Sequence, residues 1–335
     1  MNRREFLLSG LVNLGAVLIG GKEALSKTVD DREIKAVELR INCTTEILNS
    51  PRTKDVKMWI PVPPGDDSQE ITGFFARSRF AHRVTEASPW GNRMLFLNMD
   101  DVRPGDKIAL TYKVRRRRGD ISKDPHERPK MHMEPSEWEK WDDNIMKYAD
   151  EVVGNEKDPI KIGRKIYDAL LDGFKYINEA CGRGVSAITL EEKAGRCDEF
   201  HALFRSMMMY KGVSVKWEQG ILLPYPSAMG NSGELEADCI NSRSWVKFYI
   251  GHNKWMPMDI SEAMTRPELK DFCFGKLPPN RIKMSTGRGL ELSPKQEGVI
   301  NTFPYAYAEA DGIPLIYGHN YRNMLKYELL KMEMK

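Results

Sequence analysis

The feature that most restricts how this chain can fold is a change in the spacing of its apolar residues. Between residues 35 and 117 they fall in short strand-length runs: Val37-Glu38-Leu39-Arg40-Ile41, Val56-Lys57-Met58-Trp59-Ile60, Met94-Leu95-Phe96-Leu97, and Lys107 through Val114. Successive side chains of a strand point to opposite faces, so such runs bury one face of a sheet. Turn sequences separate them (Pro63-Pro64-Gly65-Asp66-Asp67, Trp90-Gly91-Asn92, Pro104-Gly105-Asp106), which makes an antiparallel, sandwich-like domain over residues 30–118 the economical reading. Beyond Pro129 the spacing becomes helical: Trp138, Trp141, Ile145 and Tyr148 recur in one segment, and Ile160, Ile166, Leu170 and Phe174 in the next. A third helix is expected from Cys197 to Lys211, closed by Gly212. Strand patterns then return at residues 213–217, 244–250 and 254–260. The sum is an α+β fold, with a second domain over residues 130–335. The basic run Arg115 to Arg118 ends the first domain and reads as a solvated boundary, and the tripeptide Arg118-Gly119-Asp120 is given no adhesive meaning.

Residues 1–26 read as a leader rather than as fold. Arg3-Arg4-Glu5-Phe6-Leu7 opens a mildly apolar run to Gly21, and Ala24-Leu25-Ser26 offers a small-residue cleavage site, the pattern of a twin-arginine export signal. The run is interrupted by Ser9 and Asn13 and falls short of the roughly 20 apolar residues that a membrane span requires. An exported protein, periplasmic or extracellular, with no span after leader removal, is therefore expected; retention of the leader as an anchor is the alternative. Apolar residues make up 41% and charged residues 30% of the 335, an ordinary globular balance, and a net charge of +3 is too weak to suggest a nucleic-acid partner. The five cysteines, Cys43, Cys181, Cys197, Cys239 and Cys273, are odd in number and widely spaced. At least one thiol stays unpaired, no metal-ligand spacing is present, and neither metal nor cofactor is expected.

One segment carries chemistry. Ala194-Gly195-Arg196-Cys197-Asp198-Glu199-Phe200-His201 places a cysteine after a glycine turn, at the first turn of an apolar-faced helix. Unsatisfied N–H groups and partial positive charge at a helix N-terminus favour thiolate over thiol, which is one way to make a nucleophile. Further on come Ser244-Trp245-Val246-Lys247-Phe248-Tyr249 and Trp255-Met256-Pro257-Met258-Asp259. In this order the segments resemble the transglutaminase-like superfamily, over roughly residues 35 to 315. The resemblance extends to Glu262-Ala263, Phe274-Gly275, Asn280-Arg281, Gly287-Arg288 and Tyr305 through Glu309, as in bacterial exported members with an N-terminal β-domain.

That resemblance implies a papain-like transglutaminase core behind the β-domain, with Cys197 at the nucleophile position and Asp259 as the residue that orients a histidine. The histidine itself is absent: Arg243-Ser244-Trp245 stands where the family has it. The hairpin turning at Gly251-His252-Asn253 brings Arg243 nearly opposite Asp259, so an ion pair is expected in place of a relay. Acyl transfer by a thiol needs a group that takes and returns a proton, and a guanidinium does neither near neutral pH. His201, four residues after Cys197 on the same helical face, is a possible substitute, set against the alternative of a core histidine. His252 at the hairpin tip lies too far away. Cys239 is close enough in sequence to Arg243 that a disulfide with Cys197 is a further alternative. Trp245, Trp255, Met256, Met258 and Met207 to Met209 are expected to pack the core. Two readings follow: cysteine-dependent chemistry on peptide or amide substrates, weakened or altered by Arg243, and a catalytically inactive binding or assembly protein. A calcium-regulated cross-linker finds no acidic loop to support it.

Overall fold

The computed structural model describes residues 30–51, 55–177 and 182–335, so the expected leader lies outside the described residues. After a 3-10 turn at Asp31–Glu33 the first part is built of strands: β1 (Ile34–Ile47), β2 (Val56–Val62), β3 (Gln69–Arg77), β4 (His82–Ala87), β5 (Asn92–Met99) and β6 (Lys107–Arg117). A two-residue strand, β7 (Ser122–Lys123), precedes α1 (Asp143–Val153) and α2 (Pro159–Gly173). The short strands β8 (Lys175–Tyr176) and β9 (Ala194–Gly195) pair in parallel and flank α3 (Ser186–Glu192), and α4 (Cys197–Tyr210) follows. Next come β10 (Val215–Leu222), β11 (Ser232–Glu236), β12 (Ser242–Tyr249), β13 (Lys254–Met258), α5 (Ile260–Thr265) and β14 (Arg281–Thr286). The chain closes with β15 (Tyr307–Ala310), β16 (Ile313–Pro314) and β17 (Tyr321–Met334).

Three antiparallel five-stranded sheets organise these elements. Their strand orders are β11-β17-β1-β6-β3, β16-β15-β2-β5-β4 and β14-β10-β12-β13-β7. The fold is thus α+β, with an antiparallel sandwich ahead of a helix-covered sheet. The period of two in β6 shows how they join. Ile108 and Leu110 pack against Met58, Ile60, Leu95 and Leu97 of the second sheet. Tyr112 and Val114, farther along the same face, pack against Ile221 of β10 and Ile282 and Met284 of β14. One face of the first sheet therefore serves two neighbours, and its other face is polar. Against the third sheet, Ile145 of α1, Ile166 and Leu170 of α2, and Phe200, Phe204 and Met207 of α4 bury Trp217, Val246, Phe248 and Met258.

Several expectations need correction. The run Arg115 to Arg118 is not a solvated boundary: Arg115 to Arg117 continue β6, and Arg116 takes the next inward position after Val114 and is buried. It donates to Ser68 Oγ, while outward-facing Arg115 and Arg117 pair with Glu333 and Glu70. Alternation, rather than charge, decides where an arginine in a strand lies. Helix α1 begins only at Asp143, because the Asp142 carboxylate accepts the Ile145 N–H and so caps it, which leaves Trp138 and Trp141 ahead of the helix. Ile160 is exposed, not core. Strands β3, β4, β11, β14 and β17 were not legible from periodicity.

Strand β17 lies between β11 and β1 and buries Tyr321, Leu325 and Tyr327. Deleting residues 321–335 removes an internal strand and leaves β1 with a bare edge. Loss of the cooperative thermal transition is the expected result, and a truncated protein with an unchanged transition would contradict this arrangement.

Candidate active site around Cys197

Cys197 is set at the start of α4 by the turn before it. Gly195 pairs with Tyr176, and a Cβ on Gly195 would stand 2.4 Å from Glu199 Cβ, so the strand can approach the helix this closely only with glycine there. The Glu199 carboxylate accepts the N–H of Arg196 at 3.0 Å and that of Gly184 at 2.9 Å, fixing the helix start to the loop beside it. Met207 to Met209 are buried, as expected.

The thiol is unpaired, and so are Cys43 and Cys273. Cys239 is disulfide-bonded whereas Cys197 is free, so the expected Cys197–Cys239 alternative is not what the chain forms. Cys197 is 5% exposed and borders a cavity of about 80 Å³ together with Asp198, Gln219, Ser242, Thr302 and Tyr305. That volume suits a few water molecules rather than a peptide. Burial pushes the thiol up to about 12, and the charge of Asp198 adds to this; Arg243 and the N–H and hydroxyl of Ser244 act the other way without prevailing. The expectation of a thiolate made by the helix N-terminus is thus corrected: withdrawing a charge from water outweighs a partial dipole. The Sγ–H points to Asp198 Oδ1, 3.8 Å away.

Asp259 sits where β13 gives way to α5 and caps that helix, its Oδ1 accepting the Glu262 N–H at 3.0 Å and the Ser261 hydroxyl at 2.6 Å. Its ion-pair partner is Arg281 at the start of β14, 2.8 Å from Oδ2, and the same guanidinium reaches Glu262 at 3.1 Å. Burial alone would raise the Asp259 carboxyl, but Arg281, His201 and Arg243 together hold it below the usual carboxylate range. The expected pair of Arg243 with Asp259 is replaced by a contact at one remove. Arg243 Nη1 donates to Ser261 Oγ at 3.0 Å and to the Tyr176 hydroxyl at 3.3 Å, and Ser261 in turn donates to Asp259. The register explains the shift. Met258 stands opposite Val246, and the chain turns into α5 directly afterwards, so Ser261 rather than Asp259 comes beside Arg243.

His201 lies one turn along α4 from Cys197 and is fully buried. Its Nε2 accepts the backbone N–H of Ile260 at 3.1 Å, and its Nδ1 lies 3.3 Å from Ser244 Oγ. Burial lowers it to about 4, against opposing influence from Asp259 and the Cys197 carbonyl, so the ring is neutral and Nδ1 carries its proton. With its one lone pair committed to Ile260, the ring offers the thiol no acceptor. His252 is at the hairpin tip with a φ of 53°, away from the site. Trp245, Trp255 and Met258 are buried as expected, and Trp245 Nε1 donates to Glu218 at 2.6 Å.

The larger cavity of about 490 Å³ shares no lining residue with the one at Cys197. It lies on the face of the third sheet away from the helices, and three of the lysines that line it are paired: Lys216 with Glu127, Lys247 with Asp67, Lys283 with Asp66. Among the described residues no cluster suits a metal ion, and no helix is long and apolar enough to cross a membrane. Sequence reasoning missed three participants. Asp198 was hidden because it follows the cysteine directly, a position no periodicity marks. Arg281 and Ser261 were hidden because their roles depend on α5 lying beside β14 and beside Arg243 of β12.

Residues 146–260 match the transglutaminase-like superfamily. They form a transglutaminase-like domain, and its helices and sheet are those that carry Cys197, Arg243 and Asp259. A protein of Haemophilus influenzae described only as uncharacterized is 21% identical over 300 residues, covering 77% of this chain and 81% of that one. The crystal structure of a candidate cysteine protease from Cytophaga hutchinsonii superposes with a TM-score of 0.52 at 15% identity, over 88% of this chain and 98% of that one. The periplasmic domain of TgpA from Pseudomonas aeruginosa is more distant, with a TM-score of 0.37 at 13% identity, over 73% and 94%. The Cytophaga likeness bears on the fold alone.

The neutral state of His201 has a measurable consequence. Its folded value, about 4, lies below the ordinary 6.5, so the unfolded chain binds the proton more readily between those values. The stability it contributes is present above pH 6.5 and is lost as pH falls toward 4, about 3 kcal/mol in all. Denaturant unfolding between these pH values is expected to show that loss. The slope should flatten in His201→Gln; an unchanged slope would remove His201 as its source.

Proposed function

We propose that the chain is an exported protein acting on peptide or amide substrates through Cys197, by hydrolysis or by acyl transfer to an amine. The carrying observation is that Cys197 is kept as a free thiol at the start of α4, bordering a cavity and flanked by Arg243 and Ser244. In this reading Arg243 fills the histidine position as a fixed cation, and Asp259 holds it through Ser261 rather than directly. The thiol is protonated and nearly covered at rest, in a cavity that Thr302, Pro304 and Tyr305 help to line and that must widen to admit a substrate. Activity is low because a guanidinium takes up no proton from the thiol.

A second reading has its own support. The 5% exposure of Cys197 and its raised pKa suit a protein that keeps the scaffold for binding or assembly and performs no chemistry. Arg243→His separates the two. On the catalytic reading, this variant hydrolyses a fluorescent casein substrate about 10² times faster than the parent, and the gain vanishes with Cys197→Ala. An Arg243→His protein that folds and shows no gain leaves the binding reading.

The export reading rests on the arginine pair at Arg3 and Arg4, and the disulfide at Cys239 suits an oxidising compartment. Replacing both arginines by lysine is expected to hold the protein in the cytoplasm, as followed by cell fractionation. Unimpaired export of that variant would rule out the twin-arginine route.

A further inference from the structure

We propose that Asp198 is the proton acceptor for Cys197, taking the part left vacant by the missing histidine; this rests on Cys197 being the nucleophile. Three observations on the geometry carry it. The thiol donates to Asp198 Oδ1 at 3.8 Å, and both residues line the same small cavity. The other candidates are excluded by their own bonds: His201 Nε2 is occupied by the Ile260 N–H, and Arg243 has no lone pair to offer. Finally, Gln219 lines this cavity while its buried Oε1 has no hydrogen-bond partner. An unmet acceptor beside the thiol is suited to the N–H of an amide substrate.

The charges around Asp198 support the role. Burial raises its carboxyl and the neighbouring Glu199 adds to this, against Arg288 beyond β14, the Ser244 hydroxyl and Arg196. Burial pushes Tyr305, which also lines the cavity, up to about 12, with the charge of Asp198 adding to this, so it stays neutral. Arg243 faces the thiol from β12. A carboxylate held above its ordinary value gives up a proton less readily once it has one, and its protonation removes the charge that opposes the thiolate.

The step balances as follows. The S–H bond breaks as Sγ bonds to the substrate carbonyl carbon, the proton passes to Asp198 Oδ1, and the carbonyl π pair moves to oxygen. When the intermediate collapses, the C–N bond breaks and the leaving nitrogen takes the proton from Asp198. Water or an amine then attacks the thioester and gives a proton to Asp198, and the C–S bond breaks with that proton returning to Sγ.

Alkylation of Cys197 by iodoacetamide, followed by mass spectrometry on the full-length protein across pH, tests this directly. A thiolate paired with a protonated Asp198 carries the same number of protons as a thiol paired with the carboxylate. The parent rate is therefore expected to be independent of pH between the two ionisations. Asp198→Asn should lose that plateau, reacting at least about tenfold more slowly near neutral pH and gaining about tenfold per pH unit above it. Asp198→Glu, which keeps the carboxylate, should retain the plateau, and it decides the matter if the asparagine variant does not fold. An asparagine variant that reacts as fast as the parent or faster overturns the proposal, since Asp198 then only repels the thiolate. A glutamate variant without a plateau overturns it too. Cys197 unlabelled in the folded parent but labelled after unfolding overturns the nucleophile reading itself, a separate outcome from the loss of Asp198 alone.

Discussion

The buried carboxylate of Asp259 and the guanidinium of Arg281 meet at the junction of β13, α5 and β14, and the arrangement around Cys197 depends on that meeting. Both groups are wholly withdrawn from water, so each would be costly alone, and removing one partner of such a pair costs far more than the pair contributes. Glu262 shares the guanidinium, and the Ser261 hydroxyl and Glu262 N–H complete the shell of Asp259. Through Ser261 the network fixes Arg243, and through the Ile260 N–H it fixes His201. The positions of the groups nearest the thiol are thus set by a neutralised charge cluster that lines neither of the two cavities described above.

The same network explains why neither expected base serves the thiol. Arg243 is oriented toward Ser261 and Tyr176, its charge raised in permanence by Asp259 and the thiol despite the opposing pull of burial. His201 gives its lone pair to the first turn of α5 and keeps its proton on the side of Ser244. What remains beside Sγ is Asp198, one residue along the chain, aimed into the cavity by the first turn of α4. The thiol rests protonated because it is surrounded by protein and faces a carboxylate, and the helix dipole is too weak to reverse both.

A second set of charges joins the two halves of the molecule. Glu218 of β10 lies 3.5 Å from both Lys247 and Lys283, which also reach Asp67 and Asp66 in the turn before β3. Burial would raise the Glu218 carboxyl, but these two lysines hold it down to about 2. Gln69 braces the contact, donating to the Lys283 carbonyl and accepting its N–H. The turn Pro63 to Asp67, which reads in the sequence as a mere break between strands, is therefore one of the places where the sandwich is bonded to the helix-covered sheet.

Residue spacing alone determined the kind and order of the elements it marked, though not of β3, β4, β11, β14 or β17: period-two runs can bury a face only as strands, and the helical spacing of Ile145, Ile166 and Leu170 only as helices. It also determined that Cys197 opens a helix, because a glycine turn before an apolar-faced run leaves little choice, and that an arginine stands before Ser244 and Trp245. Only the tertiary structure decided which charges meet. Arg281 is 22 residues from Asp259 and reaches it because β14 packs beside β10, and β17 completes the first sheet from the far end of the chain. Whether Arg116 is wet or buried, whether His201 faces the thiol, and whether Cys197 is a thiolate are all questions of surroundings. The physical reason is one of range. Periodicity records the local constraint of a chain turning or extending, whereas solvation and ion pairing depend on groups brought together across hundreds of residues.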